Sequence, residues 1–379
     1  MKENQMFLIS LLKKEIKKEL YQTCLLNSLN KDFYRDISIY GLRGILYPSP
    51  LKDVIEDENQ KKIHEDWTHY IKRNVMSNLL FIQQSKYIFG LFQEVRITPV
   101  IIKGLSIARL YKNPENRFME DLDLLIHPDE WNRSKKLLSK HGYSQVNDDD
   151  YHPMHIKYTK VGGIPVELHN SLVHTGYLGE HDVDEWYQNI WKNKRLINVE
   201  ETQLFSLAPE DELINQVVHF ATHFVFYGVR LKHLFEISLI IESFNKEIDW
   251  RYVYDTLKKL NFYDFGNLIF STCRKYFEVN VPEMIFSIKD ERQKKFMEDF
   301  LDYYCTENVP YISGYLNILT RYRIIFKNQV LLQPLLWAIA LKSQYNIFGF
   351  KIDMLLPNTT RIITHINKKI RVIRKFRLA

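Results

Sequence analysis

The spacing of apolar residues along the chain changes twice. From about residue 5 to 95 the spacing is helical, and an amphipathic stretch runs from Ile63 to Glu94. The first helical positions are Leu8, Leu11, Leu12, Ile16 and Leu20. Between about 96 and 200 short apolar runs alternate with turn residues, and helical spacing returns from Pro209. The pattern predicts a helical N-terminal region at 1–95, a mixed core at 96–200 and a helical C-terminal domain at 201–379.

The middle region is predicted to contain four short strands and two helices. Gly104 and Gly142 mark the ends of a strand and a helix, and Gly162-Gly163 forms a turn between strands. In chain order the elements are a strand at Pro99–Lys103, a helix at Leu105–Tyr111, a strand at Asp121–Ile126, a helix from Pro128 to Gly142, and strands at His155–Lys160 and Pro165–His169. This order predicts an α+β fold, with a small mixed sheet that has helices on one face and is flanked by helical regions.

Composition adds little beyond a globular class. The 379 residues are 45% hydrophobic and 14% aromatic, which excludes a disordered chain. Much of the net charge of +6 lies in the basic tail at 367–378, so the charge says little about the rest of the protein. This tail could contact an anionic membrane or nucleic acid, and the alternative is the solvated face of a last helix.

Cysteine usage and hydropathy predict a cytoplasmic protein. The three cysteines lie far apart without a CxxC pair, so neither a disulfide framework nor a thiolate zinc site is expected. No cleavage site for a signal peptide follows the N-terminal apolar patch. The most apolar window, 330–341, contains Pro334 and is shorter than the roughly 20 residues of a membrane span, so none is predicted.

Two carboxylates on one predicted strand are the main chemical signal. Asp121 and Asp123 are two residues apart, so their side chains project from the same face of the strand. Such a pair suits Mg²⁺, which prefers carboxylate oxygens. A single pair is a weak signal, because a second one, at Asp182 and Asp184, precedes an acidic helix N-terminus. The sequence around Asp121 and Asp123 therefore has to decide between them.

The residues around the first pair favour phosphate chemistry. Lys103 and Gly104 lie where a strand meets a helix, and a glycine there lets phosphate approach backbone N–H groups beside a lysine. Downstream, Glu167 is an acid on an otherwise apolar strand, which is costly unless it is paired or binds metal. Asp121, Asp123 and Glu167 are thus predicted to form a metal-binding triad.

This ordered set of motifs resembles uncharacterised nucleotidyltransferases of the DNA polymerase beta superfamily. The abortive-infection type nucleotidyltransferases of bacteria, which have a similar Lys-Gly…DxD arrangement, are close relatives. The resemblance covers roughly residues 60 to 280. The matching segments are Lys103-Gly104, Arg117, Asp121–Ile126, Gly142-Tyr143, Val166–His169, Leu207–Leu213, His219, His223, Arg230–Glu236 and Asp249-Trp250.

The resemblance implies a fold, a reaction and a set of roles. It implies an enzyme with a polymerase-beta-like core that uses a nucleoside triphosphate such as ATP and two Mg²⁺ ions, with Mn²⁺ as a possible substitute. Asp121 and Asp123 would bind both metals, and Glu167 would bind the catalytic metal and help to deprotonate the acceptor. The phosphate loop departs from the family pattern, because Gly104 is followed by Leu105 with Ser106 one place later, and Glu120 precedes the first aspartate.

Several other polar residues have alternative interpretations. Arg117 is either a triphosphate clamp or an ion-pair partner that positions Asp121 or Glu120. His169 shares a strand face with Glu167 and could support a metal ligand or contact phosphate. On the preceding strand, either His155 or the nearby His152 could face the same site. Lys157 could join phosphate binding or be solvated. The histidines at 219 and 223 are one helical turn apart, and could bind zinc, pack within an interface or, as the resemblance implies for His223, line the nucleotide site.

Three functional hypotheses remain open from the sequence. The first is Mg-dependent transfer of a nucleoside monophosphate to an unidentified acceptor (a small molecule, a peptide or RNA) with release of pyrophosphate. The second is a catalytically silent nucleotide-binding or protein-interaction module. The third is a toxin-like enzyme that modifies tRNA, which predicts a basic groove beside the acids. A basic cluster at Arg230, Lys232 and His233 could receive triphosphate or acceptor, or be a solvated helix end.

Overall fold

A computed structural model describes residues 3–48, 55, 57–146, 154–173, 183–226 and 229–288. Four sequence predictions lie outside these residues. They concern the basic tail at 367–378, the apolar window at 330–341, His152 and Asp182.

A seven-stranded mixed sheet forms the centre of the described structure. Its strands are β1 (Val100–Ile101), β2 (Leu122–Leu125), β3 (Ser144–Gln145), β4 (His155–Thr159), β5 (Val166–His169), β6 (Arg195–Val199) and β7 (Thr202–Ser206). Their spatial order is β3-β4-β5-β2-β1-β7-β6. Strand β2 pairs parallel with β5 and antiparallel with β1, and β1 pairs parallel with β7. The predicted α+β class is confirmed, and β3 and the β6–β7 hairpin extend the four predicted strands.

Helices precede the sheet, connect its strands and follow it. They are α1 (Glu3–Ile16), α2 (Gln22–Asn27), α3 (Lys31–Ile39), α4 (Glu58–Glu94), α5 (Gly104–Ala108), α6 (Trp131–Lys140), α7 (Val183–Asn193), α8 (Pro209–Phe226), α9 (Leu231–Ser243), α10 (Trp250–Lys259) and α11 (Tyr263–Phe277). Asp57 and Asp249 cap the N-termini of α4 and α10 by accepting backbone N–H groups. The prediction that Leu20 continues the first helix is wrong: α1 ends at Ile16, Lys18 adopts a φ of 59°, and Leu20 is exposed.

The two faces of the sheet have different partners because strand residues alternate in direction. On one face, Leu122 and Leu124 of β2 pack with Leu168 of β5 in a core that the second half of α4 and helix α6 complete. On the other side of the molecule a larger apolar core joins α1, α3, the first half of α4 and α8–α11. Polar residues of β2, β4 and β5 are left facing the space between these parts.

Helix α4 also holds the chain that enters β2. The side-chain amide of Asn74 donates to the carbonyl of Asn116 at 2.8 Å. The amide of Asn78 donates to the carbonyls of Glu115 and Arg117, each at 2.6 Å. A short 3₁₀ turn at Pro114–Asn116 is thereby fixed to the helix a few residues before Asp121. No described helix combines the length and apolar character that crossing a membrane requires.

Candidate active site

Strand register brings the predicted acids together on one face of the sheet. Asp123 of β2 lies directly opposite Glu167 of β5, and Glu167 lies opposite Lys157 of β4. Asp121 precedes β2 and shares the face of Asp123 because it is two residues away. Asp123 and Glu167, which are 44 residues apart in the sequence, thus become neighbours through β2–β5 pairing.

Each acid has a cationic or imidazole partner. Asp123 Oδ1 lies 3.4 Å from the Lys103 ammonium and 2.8 Å from His169 Nε2. The Lys157 ammonium lies 3.4 Å from both Asp121 Oδ2 and Glu167 Oε1. All these carboxylates are at least partly buried, so ion pairing offsets part of their desolvation cost.

The surroundings make the three carboxyl groups unequal. Burial, reinforced by the neighbouring Asp123 and Glu167, raises the pKa of Asp121 to about 7. Burial acts in the same direction on Asp123, but Lys103 and His169 outweigh it and lower its pKa. The histidines beside Glu167 likewise hold its pKa well below its usual range despite burial. Asp123 and Glu167 are therefore ionised at neutral pH, and Asp121 is close to its titration point.

Lys103 connects the end of β1 to α5 through an unusual backbone conformation. Its φ is 57° and ψ is −129°, a region that costs a non-glycine residue on the order of 1–3 kcal/mol. This bend leaves the lysine ammonium beside Asp123, and the three acids raise its pKa although burial opposes them. Gly104 follows at the first residue of α5, at the edge of the cavity described next.

A cavity of about 690 Å³ separates the polar sheet face from helices α8 and α9. Its sheet wall contains the three acids together with Lys103, Gly104 and His169. Its helical wall contains His223 and the basic cluster Arg230, Lys232 and His233, and Arg117, from the segment before β2, also lines the cavity. Ser106 was also predicted to bind nucleotide, but the residues that line this cavity do not include it. Its buried hydroxyl donates to the Lys103 carbonyl and to Glu212, behind the phosphate-loop position.

Comparison with known proteins identifies the family. A family model described as uncharacterised nucleotidyltransferase matches residues 31–278, well over half of the chain and including both walls of the cavity. The chain belongs to this nucleotidyltransferase family. The resemblance predicted from the motifs is thereby confirmed, and the protein is an enzyme of the nucleotidyltransferase class.

Two solved structures are also similar to this nucleotidyltransferase. One is the lincosamide antibiotic adenylyltransferase LnuA in its lincomycin-bound form, with 15% identity and a TM-score of 0.30, covering 42% of this chain and 94% of that chain. The other is an antigenic nucleotidyltransferase-like protein from Paracoccidioides brasiliensis, with 15% identity and a TM-score of 0.31, covering 56% and 97%. None of the curated proteins matches. Both TM-scores are low, so the family assignment rests on the family match alone.

Arg117 of the nucleotidyltransferase is held in a buried ion pair. Its Nε donates to Glu236 Oε1 at 2.9 Å, and the Tyr111 hydroxyl donates to the same oxygen at 2.6 Å. The ammonium of Lys232 is 3.7 Å from Glu236 as well. Burial opposes ionisation of Glu236, yet Arg117 and Lys232 lower its pKa to about 2. Arg117 thus pairs with an acid of α9 rather than with Asp121 or Glu120, the partners in one of its two sequence-based interpretations.

Three histidines lie together on the helical wall of the nucleotidyltransferase. The ring centroids of His219 and His223 are 4.3 Å apart, and the ring centroids of His223 and His233 are 5.5 Å apart. Burial lowers the pKa of His223 to about 3 and that of His233 to about 4, and it also lowers the pKa of His219. They are neutral at pH 7, so they add hydrogen-bonding groups to this wall and no positive charge.

The structure adds residues that the sequence did not single out. Glu236 and Tyr111 complete the Arg117 pair, and Glu212 binds Ser106 and Gln216. The only available signal was an acid inside an otherwise apolar helix, because such an acid is costly without a partner. The identity of the partner depends on long-range packing, which no local pattern specifies.

Proposed function

We propose that the enzyme transfers a nucleoside monophosphate from a nucleoside triphosphate to an acceptor, in an Mg²⁺-dependent reaction that releases pyrophosphate. The observation that supports this most is the convergence of Asp121, Asp123 and Glu167 on one sheet face at the wall of a cavity. Lys103 is the adjacent cation. This combination provides acids for divalent metal and positive charge for phosphate in one place.

The residues present fit a hard divalent cation. Three carboxylate groups supply the oxygen donors that Mg²⁺ prefers, and they are ionised or near their titration point at neutral pH. Asp121 and Asp123 would hold the metal pair, and Glu167 would complete the set for the catalytic ion, with Mn²⁺ as a substitute for Mg²⁺. When bound, these ions neutralise phosphate charge and lower the pKa of the attacking hydroxyl.

The other residues of this cavity bind and orient the substrates. The Lys103 ammonium and the backbone N–H at Gly104 would contact the triphosphate. Glu167 stays ionised. Its carboxylate would accept a hydrogen bond from the acceptor hydroxyl before that hydroxyl loses its proton. His169, hydrogen-bonded to Asp123, orients that carboxylate. Arg117 would act indirectly, because Glu236 holds its guanidinium.

The volume of the cavity suits a small-molecule substrate such as the nucleoside triphosphate itself and leaves the acceptor class open. About 690 Å³ lies within the range of roughly 300–1,000 Å³ that small-molecule sites occupy. A peptide or RNA acceptor would have to present a single group at its mouth. The nucleotide base is open, and ATP is the first to test.

Product labelling tests this proposal. The enzyme is incubated with Mg²⁺, cell extract and each α-labelled nucleoside triphosphate in turn, and labelled products are separated and identified. Wild-type protein should transfer label to an extract component, whereas an Asp121→Ala/Asp123→Ala variant with an unchanged circular dichroism spectrum should not. Transfer by the double variant would contradict the metal-binding role. Nucleotide binding without any transfer would favour a silent binding module.

A further inference from the structure

Two histidines and one acid form a compact group at one end of the polar sheet face. In the antiparallel pair of β4 and β5, His155 lies directly opposite His169. Glu167 is two residues from His169 on β5 and therefore shares its face. The imidazole rings of His155 and His169 are 4.8 Å apart between centroids. Backbone pairing thus fixes three potential metal ligands on adjacent rigid strands.

Their donor atoms have the separations of a metal site. Glu167 Oε2 lies 3.5 Å from His155 Nε2 and 3.6 Å from His169 Nε2, and the three donor atoms all lie within 4.8 Å of one another. Ligands bound tetrahedrally at about 2.0–2.1 Å from zinc are roughly 3.3 Å apart. Small side-chain movements would therefore close the three donors on one ion.

The two oxygens of Glu167 have different neighbours. Oε1 is 3.4 Å from the Lys157 ammonium, and Oε2 faces the two imidazoles. One carboxylate can therefore keep its ion pair while its second oxygen binds a cation. The three side chains are largely buried but line the cavity, so solvent or substrate can occupy a fourth coordination position. Three protein ligands with one open position are characteristic of catalytic zinc sites.

We propose that His155, Glu167 and His169 bind a transition-metal dication of the Zn²⁺ class, distinct in chemistry from the all-carboxylate Mg²⁺ set. Imidazole nitrogen suits Zn²⁺ and its transition-metal neighbours, whereas Mg²⁺ prefers oxygen. The proposal shares Glu167 with the proposed function, since both sets include this carboxylate. A zinc ion here would compete with Mg²⁺ for Glu167.

A structural role for the histidines makes a different prediction. His169 Nε2 is 2.8 Å from Asp123 Oδ1, so the imidazoles could serve as hydrogen-bond partners that stabilise the acids. In that case removal of a histidine changes stability and no metal affinity. Zinc binding, by contrast, requires His169 Nε2 to exchange Asp123 for the ion. Metal affinity therefore separates the two roles.

The test is direct titration of metal-free protein with Zn²⁺ against a chromophoric chelator, in the presence of millimolar Mg²⁺. We expect one zinc per chain that Mg²⁺ does not displace. His155→Ala and His169→Ala should each weaken zinc binding by more than about 100-fold. Co²⁺ in place of Zn²⁺ should give visible absorption bands of a nitrogen- and oxygen-ligated ion, and these bands should be lost in both variants.

Two controls separate this site from its surroundings. His141→Ala removes a histidine at the end of α6 and should leave zinc affinity unchanged. Asp121→Asn should abolish nucleotidyl transfer but keep zinc affinity within about fivefold, because Asp121 is not one of the three ligands. If His155→Ala does not fold, His155→Gln preserves the size and polarity of the side chain while removing the imidazole ligand.

The possible outcomes are distinct. Zinc bound by wild-type protein and weakened in both histidine variants supports the site, whether or not nucleotidyl transfer is detected. Absence of zinc binding to wild-type protein, or unchanged zinc affinity and Co²⁺ spectra in either histidine variant, overturns it. Loss of transfer in Asp121→Asn with zinc binding intact supports both proposals, and active Asp121→Asn overturns only the proposed function.

Discussion

At the scale of single residues, acids near the cavity differ in ionisation because their partners differ. Glu236 lies against Arg117 and Lys232, which lower its pKa to about 2 in spite of burial. Glu212 is buried, its carboxyl group accepts hydrogen bonds from the amide of Gln216 and the hydroxyl of Ser106, and burial raises its pKa to about 7. Near the cavity, helix α9 therefore contains an anion at Glu236, and helix α8 contains an acid at Glu212 that is about half protonated at pH 7.

Glu212→Gln tests the second of these assignments. Because the folded-state pKa of Glu212 is above its unfolded value, its contribution to stability is complete below about pH 4.5 and is lost as pH rises through 7. Glutamine keeps the neutral form at every pH. The variant should be within about 1 kcal/mol of wild type at pH 5 and exceed it by roughly 3 kcal/mol at pH 8, measured as the free energy of unfolding in urea. A constant difference across pH would contradict the assignment.

Single residues also show what the sequence could predict about the site. Asp121 and Asp123 were recognisable by their spacing on one strand and Glu167 because an acid on an apolar strand is costly, and the structure places all three on one sheet face. That placement does not test their roles, which stay predictions. Glu236 could not be paired with Arg117 in advance, because 119 residues separate them and only the packing of α9 brings them together.

At the scale of elements, helix α4 packs behind strand β2, which contains Asp123 of the candidate site. Its second half packs under the sheet, and Asn74 and Asn78 satisfy the carbonyls of the turn that leads into β2. The hydrophobic pattern predicted this helix from Ile63 to Glu94, close to the observed Glu58–Glu94. It did not predict the β6–β7 hairpin, because the parallel pairing of β7 with β1 is a long-range contact. The proposed division into three regions stays a prediction.

Asn78→Leu tests the contribution of this helix to the turn. Leucine has the same branching at Cγ but cannot donate, so the buried carbonyls of Glu115 and Arg117 lose their partner. We expect a loss of about 2–4 kcal/mol in the free energy of unfolding and reduced transfer activity. Leu79→Ala, at an exposed position on the same helix, should change stability by less than about 0.5 kcal/mol. Equal effects of the two variants would contradict the proposed support.

Two glycines, Gly44 beside the turn before β2 and Gly90 within α4, allow a second comparison of matched substitutions. A Cβ at Gly44 would lie 2.1 Å from the carbonyl oxygen of Asn116, whereas a Cβ at Gly90 in α4 would meet no atom within 4 Å. Gly44→Ala should therefore destabilise the protein by more than about 1 kcal/mol. Gly90→Ala should stabilise it by about 0.5–1 kcal/mol, because alanine restricts the unfolded chain. Thermal unfolding should show a lower melting temperature than wild type for Gly44→Ala and a higher one for Gly90→Ala.

At the scale of the whole molecule, the cavity is a junction between the sheet and the C-terminal helices. Arg117 comes from the segment before β2 and Glu236 from α9, so their buried ion pair joins the two walls. The family match spans both walls, and the reaction proposed here requires both. Fold class and family were predictable because they depend on ordered motifs and periodicity. Details of the helical wall were not, because they depend on how distant elements pack.

Breaking the ion pair between Arg117 and Glu236 should reduce the free energy of unfolding. Glu236→Gln retains an acceptor for Tyr111 but leaves the Arg117 guanidinium buried without its counter-ion, which typically costs about 3–5 kcal/mol. Since the folded-state pKa of Glu236 is depressed, its contribution is present above about pH 4.5 and is lost as pH falls toward 2. The difference in the free energy of unfolding between wild type and Glu236→Gln should therefore decrease as the pH falls from about 4.5 toward 2. Arg117→Met/Glu236→Gln should recover much of the stability in urea titrations, and no recovery would contradict the pairing.

Pyrophosphate release tests most directly the central claim, that Asp121, Asp123 and Glu167 form the site of nucleotidyl transfer. Release is measured with Mg²⁺, ATP or another nucleoside triphosphate, and acceptor-containing extract, for wild type, Asp123→Asn and Asp184→Asn. Asp184 belongs to the second DxD sequence and is exposed at the first turn of α7, so it is a matched control. We predict release by wild type and Asp184→Asn and at least a roughly 100-fold loss in Asp123→Asn. Equal rates for Asp123→Asn and wild type would contradict the claim.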